Sequence, residues 1–219
     1  MKILEEIELS LDNQDIIQLL RSKNSAVKGT KAKAPSIQLL QDIELMKKEA
    51  FELIETRAIY DIFSSEILQP RHLFKRSKKT ILAVCTISEK LEKKISTYMK
   101  EGKLTKGVIL DAVASVAAEE CASQLYELIL EENKEILQNN KHTARFSPGY
   151  CRWSIGEGQQ LIFTLLPVAE KIDVELSATS MMIPRKSVSF AINIGPNVEE
   201  ELGIKECETC EIYDCDYRR

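Results

Sequence analysis

Residues 106–138 read KGVILDAVASVAAEECASQLYELILEENKEILQ, with no Pro and no Gly after Gly107. The pattern predicts one long helix over about 106–138. Its middle, AVASVAAEECASQL, is so rich in Ala and Ser that another element can pack very close to it. Just upstream, Thr80–Ile87 (TILAVCTI) is short, apolar and β-branched and reads as a buried strand. Between them Ser88 caps a helix whose stripe is Leu91, Ile95 and Tyr98, ending with Gly102 at the C′ position. Downstream, 139–150 reads as a loop, and Ser154 with Glu157 forms a capping box opening a helix toward Leu166. Ile172–Leu176 and Ser187–Ile194 read as strands; Val188, Phe190, Ile192 and Ile194 alternate until Gly195-Pro196 stops them.

Toward the N-terminus, Asp12 or Asn13 can cap a short helix over Gln14–Leu20. Lys23–Ala34 is small, polar and basic and reads as a mobile loop. Pro35 and Ser36 open a helix with the stripe Leu39, Ile43, Met46, Ala50 and Ile54. Ala58–Leu68 is ambiguous between a helix end and a strand. The fold class is α+β: N-terminal helices and a long central helix packed on a small, mostly antiparallel sheet. With 219 residues this is one domain, residues 1–205, with a helical part over 1–79 and a motif-bearing part over 80–196. Residues 206–219 form a Cys-containing acidic tail.

Thirty Lys and Arg stand against 34 Asp and Glu, a formal charge of −4. From Asn197 onward there are eight acids (Glu199, Glu200, Glu201, Glu206, Glu208, Glu211, Asp214, Asp216) and three bases, so this end carries −5 and the rest +1. A general nucleic-acid binder needs a strong basic footprint, which is absent. The one basic cluster, Arg71, Lys75, Arg76, Lys78 and Lys79, reads as a solvated loop face or a docking patch for an acidic partner. No apolar run approaches the ~18 residues that span a membrane, and the start is acidic. The expectation is a cytoplasmic protein whose six cysteines stay reduced.

The most unusual local string is Arg145-Phe-Ser-Pro-Gly-Tyr150. Ser147 precedes Pro148 and is biased to extended geometry, whereas Gly149 permits close approach or positive φ. Such a loop presents backbone groups between a guanidinium, suited to a carboxylate, and a phenol; a plain Pro-Gly turn is the other reading. Glu119 shares a helix face with Asp111 and Ser115 and can bind an ammonium group, or can simply face solvent. Met181 and Met182 can line a flat apolar site or fill the core. Cys207-x2-Cys210-x4-Cys215 is a partial soft-metal site for zinc or an iron–sulfur cluster, with a fourth ligand from Cys151, Cys85, water or a partner. A redox pair and an acidic tail without metal are the other readings. There is no G-x-G-x-x-G, P-loop or G-x-S-x-G, and two histidines, His72 and His142, are too few for a His-rich metal site.

Taken in order, Cys85-Thr-Ile, Leu110-Asp-Ala, Ser115, Ala118-Glu119, Arg145-x-Ser-Pro-Gly-Tyr150 and Ser180-Met-Met-x-Pro-x-Lys-Ser-Val-Ser189 resemble the activation (reactivation) domain of vitamin B12-dependent methionine synthase, in particular its small stand-alone relatives. The resemblance spans about Thr80 to Gly195. It implies a C-shaped α+β fold with a curved sheet, and a domain that binds S-adenosylmethionine and presents it to a cobalamin held elsewhere. Inactive cob(II)alamin is there reduced by one electron and remethylated. By position, Arg145 is implied to hold the methionine carboxylate and Glu119 to lie near its ammonium, with Glu120 one register step away. Ser147 and Gly149 are implied to give backbone contacts, and Tyr150 to face the cobalt. The implied partners are a cobalamin-binding methionine synthase or corrinoid protein, with flavodoxin or ferredoxin as electron donor. The chain departs from the multidomain enzyme in carrying Cys151 where Pro usually follows the Tyr, in carrying Ser115 where that enzyme has an acid, and in its Cys tail. Two rival readings are a non-catalytic S-adenosylmethionine-responsive sensor and a metal-binding interaction module built on the tail.

Overall fold

The computed structural model describes residues 1–22 and 34–198. In chain order the elements are β1 (Lys2–Glu5), α1 (Asn13–Ser22), α2 (Ile37–Leu53), β2 (Arg57–Ser64), α3 (Arg71–Phe74), β3 (Lys79–Thr86), α4 (Lys90–Lys100) and α5 (Leu104–Glu132). There follow α6 (Lys134–Leu137), β4 (Lys141–His142), α7 (Ile155–Leu165), α8 (Val168–Ile172), β5 (Glu175–Leu176), β6 (Met182–Ile183) and β7 (Ser187–Gly195). One antiparallel sheet runs β1-β2-β3-β7-β4, and β5 and β6 form a separate hairpin. The α+β expectation is met.

Strand alternation divides the core between the two faces of the sheet. Ile81, Ala83 and Cys85 of β3 and Phe190, Ile192 and Ile194 of β7 share one cluster with the residues of α1, α2, α4 and α5. Their neighbours Leu82, Val84 and Ala191 join a second cluster with Phe74, Phe146, Trp153 and Ile162. Both faces of β3 are covered, which is why it reads as an unbroken apolar run. The Ala-rich middle of α5 touches α1, α2, α4, β3 and β7, and its Ala112, Ala114, Ala117 and Ala122 are fully buried. Small side chains there let the surrounding backbones close in.

The caps follow the sequence except at α4, where Glu89 and not Ser88 takes the N-cap position and Ser88 Oγ, one residue earlier, only accepts from Lys90 N–H at 3.4 Å. Gln14 N–H donates to Asp12 Oδ1 at 2.8 Å, Leu39 N–H to Ser36 Oγ at 3.2 Å and Glu157 N–H to Ser154 Oγ at 3.5 Å. Gly102 takes φ +74° and Lys103 N–H reaches Tyr98 O at 2.9 Å, closing α4. The differences have local causes. The long helix stops at Glu132, because the Asn133 side-chain amide turns back onto Ile129 O at 2.8 Å, and the single turn α6 follows. The ambiguous 58–68 stretch is strand β2 and then a 3-10 turn, Ser65–Ile67. Ile172 ends helix α8 rather than starting a strand, so only Glu175–Leu176 is extended. The 139–150 loop contains β4 and a bridge from Phe146 to Ala191. The mobile loop expected at 23–34 falls, apart from Ala34, outside the described residues, as do Cys207, Cys210 and Cys215. Among the described residues no helix is long and apolar enough to cross a membrane.

The end of α5 is tied to the sheet by charge. The Tyr60 hydroxyl of β2 donates to the Glu132 carboxylate, whose other oxygen lies 2.9 Å from Lys2 Nζ of β1. These bonds hold the Glu132 carboxyl below its ordinary value of 4.5, chiefly through Tyr60. Burial, and then the hydrogen bond to Glu132, pushes the Tyr60 phenol up to about 12. Glu132 therefore contributes stability above its unfolded value and loses it as pH falls through the folded one. Tyr60 loses its contribution as pH rises from about 10, its unfolded value, toward about 12. Tyr60→Phe should cost about 1.5 kcal/mol near neutrality, or about 3–5 °C in thermal midpoint. The deficit should shrink below about pH 4 and above about pH 10; a pH-independent deficit in thermal melts would refute this linkage.

Candidate functional site

Asp111, Ser115, Glu119 and Ser123 stand four apart on α5 and form one polar stripe along the helix. Ser115 and Ser123 donate back to Asp111 O at 2.9 Å and Glu119 O at 3.1 Å. Two cations from the other side of the chain meet this stripe. Arg145 Nη2 lies 2.7 Å from Glu119 Oε2 and 3.4 Å from Ser123 Oγ, and its guanidinium sits 5.9 Å from the centroid of the Phe190 ring. Lys186 Nζ lies 2.7 Å from Asp111 Oδ1 and 2.7 Å from Ser115 Oγ, while its backbone N–H donates to Glu92 Oε1. Glu120 points along the helix instead, taking Gln124 Nε2 at 2.8 Å. Of the two neighbouring acids, Glu119 rather than Glu120 meets Arg145.

Burial is unequal within the pair. The Arg145 side chain is 16% exposed and that of Glu119 42%. Because Glu119 remains accessible to water, the pair is worth on the order of 1 kcal/mol or less and opens easily for a competing charge. Beneath it Cys85 and Cys121 are buried and free. A hydrogen bond with Cys121, together with burial, pushes the Cys85 thiol up, so Cys85 stays protonated and is no nucleophile.

Arg145 reaches α5 because the segment behaves as a strand at Phe146. Phe146 N–H donates to Ala191 O at 3.0 Å and Ala191 N–H to Phe146 O at 2.8 Å. Successive side chains then take opposite faces: Arg145 goes to α5, and Phe146 packs with Trp153 (5.7 Å) and Phe74 (6.3 Å). After Phe146 the chain turns back on itself. Tyr150 N–H donates to Ser147 O at 3.0 Å, Gly149 N–H to Trp153 O at 2.7 Å, and Trp153 N–H to Tyr150 O at 2.8 Å. Gly149 takes φ +97°, and Cys151 and Arg152 also lie in the left-handed region. The loop is therefore folded and internally bonded after Ser147, not extended throughout, and several backbone amides are spent within it.

Tyr150 is 48% exposed and Cys151 only 4%, so the phenol, not the thiol, faces outward. Gly149 abuts Ile155, and Gly156 abuts Ser180 at the head of the β5–β6 hairpin. Tyr150, Ile155, Met181 and Ile183 are exposed apolar side chains along these contacts. Met182 instead packs on the second core cluster, so the two methionines divide between surface and core. Among the described residues no group of three metal-ligating side chains occurs. Sequence reasoning passed over Ser123 and the anchoring of Lys186. Ser123 was visible as one more four-residue step from Glu119, and Lys186 as the cation inside the Pro-x-Lys-Ser string.

Gly158 of α7 fixes how close the loop lies, since an added Cβ would stand 2.7 Å from the Pro148 ring and 2.8 Å from Trp153 Cε2. Gly158→Ala should therefore displace residues 148–153 at a cost of about 1–3 kcal/mol. The chain has one Trp, so fluorescence reads the displacement directly. The expected result is a red-shifted Trp153 emission with a lowered thermal midpoint; unchanged emission would show that the loop does not depend on this contact.

Comparison with known proteins adds to this geometry. The family described as vitamin B12 dependent methionine synthase, activation domain, matches residues 73–219, more than half of the chain. No curated protein matches. Among solved structures, the crystal structure of the MetH reactivation domain bound to AdoHcy superposes with a TM-score of 0.63 over 95% of this chain and 83% of that one. At 14% identity that likeness establishes the fold. The chain belongs to the activation-domain family of vitamin B12-dependent methionine synthases.

Proposed function

We propose that this domain binds S-adenosylmethionine at the Arg145–Glu119 pair and presents its methyl group to a cobalamin held by a separate methionine synthase module or related corrinoid methyltransferase. The observation that carries the reading is the pair itself: a largely buried guanidinium and a half-exposed carboxylate, 2.7 Å apart on rigid elements. A zwitterionic amino acid can replace each partner of such a pair with its own opposite charge. The ligand carboxylate takes the Arg145 guanidinium, and the ligand ammonium takes Glu119 and the neighbouring hydroxyls. The family supports the cobalamin context, and the AdoHcy in the structural neighbour supports a ligand of this kind.

The remaining residues have positioning roles. Gly149 N–H is already committed to Trp153 O and Ser147 O to Tyr150 N–H, so Gly149 offers a ligand its carbonyl and Ser147 the second lone pair of its own. Tyr150 and the apolar residues beside it form the outward face on which a corrin ring can rest. The cobalamin, when bound, supplies the metal that accepts one electron from a flavodoxin- or ferredoxin-type donor and the methyl group, with S-adenosylhomocysteine released. The protein contributes orientation and exclusion of water.

Calorimetry on the isolated chain should show S-adenosylmethionine binding that weakens at least tenfold in Arg145→Ala, the loss of one charge-assisted bond of about 1.5–3 kcal/mol. Tyr150→Ala should keep that affinity within about threefold yet slow remethylation of cob(II)alamin, followed by its absorbance with the partner module and reductant present. Equal ligand affinity in wild type and Arg145→Ala would overturn the assignment of the site.

A further inference from the structure

Strand β7 has two edges, and its backbone groups alternate between them. Ile194 O accepts from Lys78 N–H at 2.9 Å and Lys186 O from Ile87 N–H at 3.2 Å, so the even-numbered residues bond toward β3. The odd-numbered residues face the other way. Asn193 O accepts from Thr143 N–H at 3.0 Å, and Ala191 exchanges two bonds with Phe146. Ser189 is the next odd residue, and the register of the Phe146 bridge sets Pro148 opposite it. Pro148 has no N–H to give, and the chain there has already entered the 147–153 turn. The N–H and C=O of Ser189 therefore have no backbone partner among the described residues, although the residue is 2% exposed. Buried backbone groups are nearly always paired, so this edge calls for a donor and an acceptor that the fold does not supply.

A side chain beside it has the same need. Gln159 of α7 is 7% exposed, and its Oε1 accepts from Ser189 Oγ at 3.1 Å. Its amide nitrogen has no acceptor among the described residues. There the wholly enclosed side-chain atoms without a partner are Arg57 Nε and Trp153 Nε1, so the unpaired Gln159 nitrogen opens onto accessible space. The edge also stands in line with the charged pair. Arg145 is level with Ile192 in the bridge register, three residues along β7 from Ser189. At 3.3–3.4 Å per residue that is about 10 Å, a span for a ligand whose amino acid and base are separated by a sulfonium and a ribose.

Resting on the S-adenosylmethionine reading of the Arg145–Glu119 pair, we propose that the open edge of β7 at Ser189 and the Gln159 amide hold the adenine of that ligand. The N–H and C=O of one residue, side by side on a strand edge, take an acceptor and a donor together, as an opposing residue would offer them. Adenine carries that combination: N1 accepts from Ser189 N–H, and the exocyclic N6–H donates to Ser189 O. The Gln159 N–H is a further donor for N7, on the other side of N6. Deamination reverses the first two groups. A 6-oxo purine has an acceptor at position 6 and a proton on N1, so each meets its own kind. Ser189 and Gln159 thus set the choice of base, whereas Arg145 and Glu119 set the choice of amino acid.

The test is calorimetry on the full chain with S-adenosylhomocysteine and with S-inosylhomocysteine, its deaminated form. Wild type should bind the inosyl compound about tenfold or more weakly, because the buried Ser189 groups are then left unpaired. Gln159→Glu keeps an acceptor for Ser189 Oγ and removes the free N–H, and should weaken S-adenosylhomocysteine about fivefold or more. Arg145→Ala should weaken both compounds by a common factor and leave their ratio unchanged. Ser189 acts through its backbone, so the two ligands test it in wild type, whatever Gln159→Glu does to stability. Equal affinity of wild type for the two compounds, or unchanged S-adenosylhomocysteine affinity in Gln159→Glu, would overturn the adenine site and leave the Arg145 reading standing. No binding of either compound to wild type would overturn both.

Discussion

The bridge between Phe146 and Ala191 decides what the rest of the molecule can do. Two reciprocal backbone hydrogen bonds, 3.0 and 2.8 Å, make a single extended residue out of what is otherwise a loop. A strand sends neighbouring side chains to opposite faces, and here the two faces differ completely. On one side Arg145 meets the polar stripe of α5; on the other Phe146 enters the cluster of Phe74 and Trp153. The aromatic contact anchors the segment, and the anchored segment aims the guanidinium. A slip of one residue would bury the charge among aromatics and expose Phe146, which is why the register is strongly specified.

The energetics of the Arg145–Glu119 pair follow from where each partner sits. A fully buried pair would cost several kcal/mol per ion to desolvate and would punish the removal of either partner. An exposed pair would hold neither group in place. The arrangement lies between these limits: Arg145 is fixed against Phe190 and Ser123, and Glu119 stays in contact with water. A ligand that brings both charges with it exchanges one set of ion contacts for another, so its binding does not have to overcome an isolated buried charge. The same reasoning explains why buried Cys85 takes no part. A protonated thiol beneath the pair packs as a small apolar group and leaves the charges above it undisturbed.

Much of this was legible in the sequence, and the failures share a cause. The caps at Asp12, Ser36 and Ser154, the Gly102 stop and strands β3 and β7 are local signals, carried by residues that act on their own backbone. The polar stripe was partly visible because four-residue spacing is a helix property. Strand β1, the pairing of β4 and the Phe146 bridge depend on partners 45 or more residues away in the chain, and their own segments are too short to show a period. The Asn133 break was missed because the apolar spacing continues through Ile136 and Leu137, whereas one side-chain amide is enough to end the helix. Gly158 looked like an ordinary helix glycine; only the third dimension shows Pro148 and Trp153 resting on it.

The position of Lys186 bears on how far the family resemblance extends at the site. Ser115 is uncharged, so Asp111 and Glu119 alone make this part of α5 anionic. Lys186 adds a cation at the same place, held by Asp111, Ser115 and, through its backbone, Glu92. Asp111 is thereby neutralised, and Glu119 is the carboxylate of the stripe that remains half-exposed beside Arg145. The lysine also ties the segment entering β7 to both α4 and α5, so the strand that pairs with Phe146 begins from a fixed point. These contacts leave Glu119 and Arg145 as the one anionic and one cationic group of the stripe that the proposed zwitterionic ligand can use.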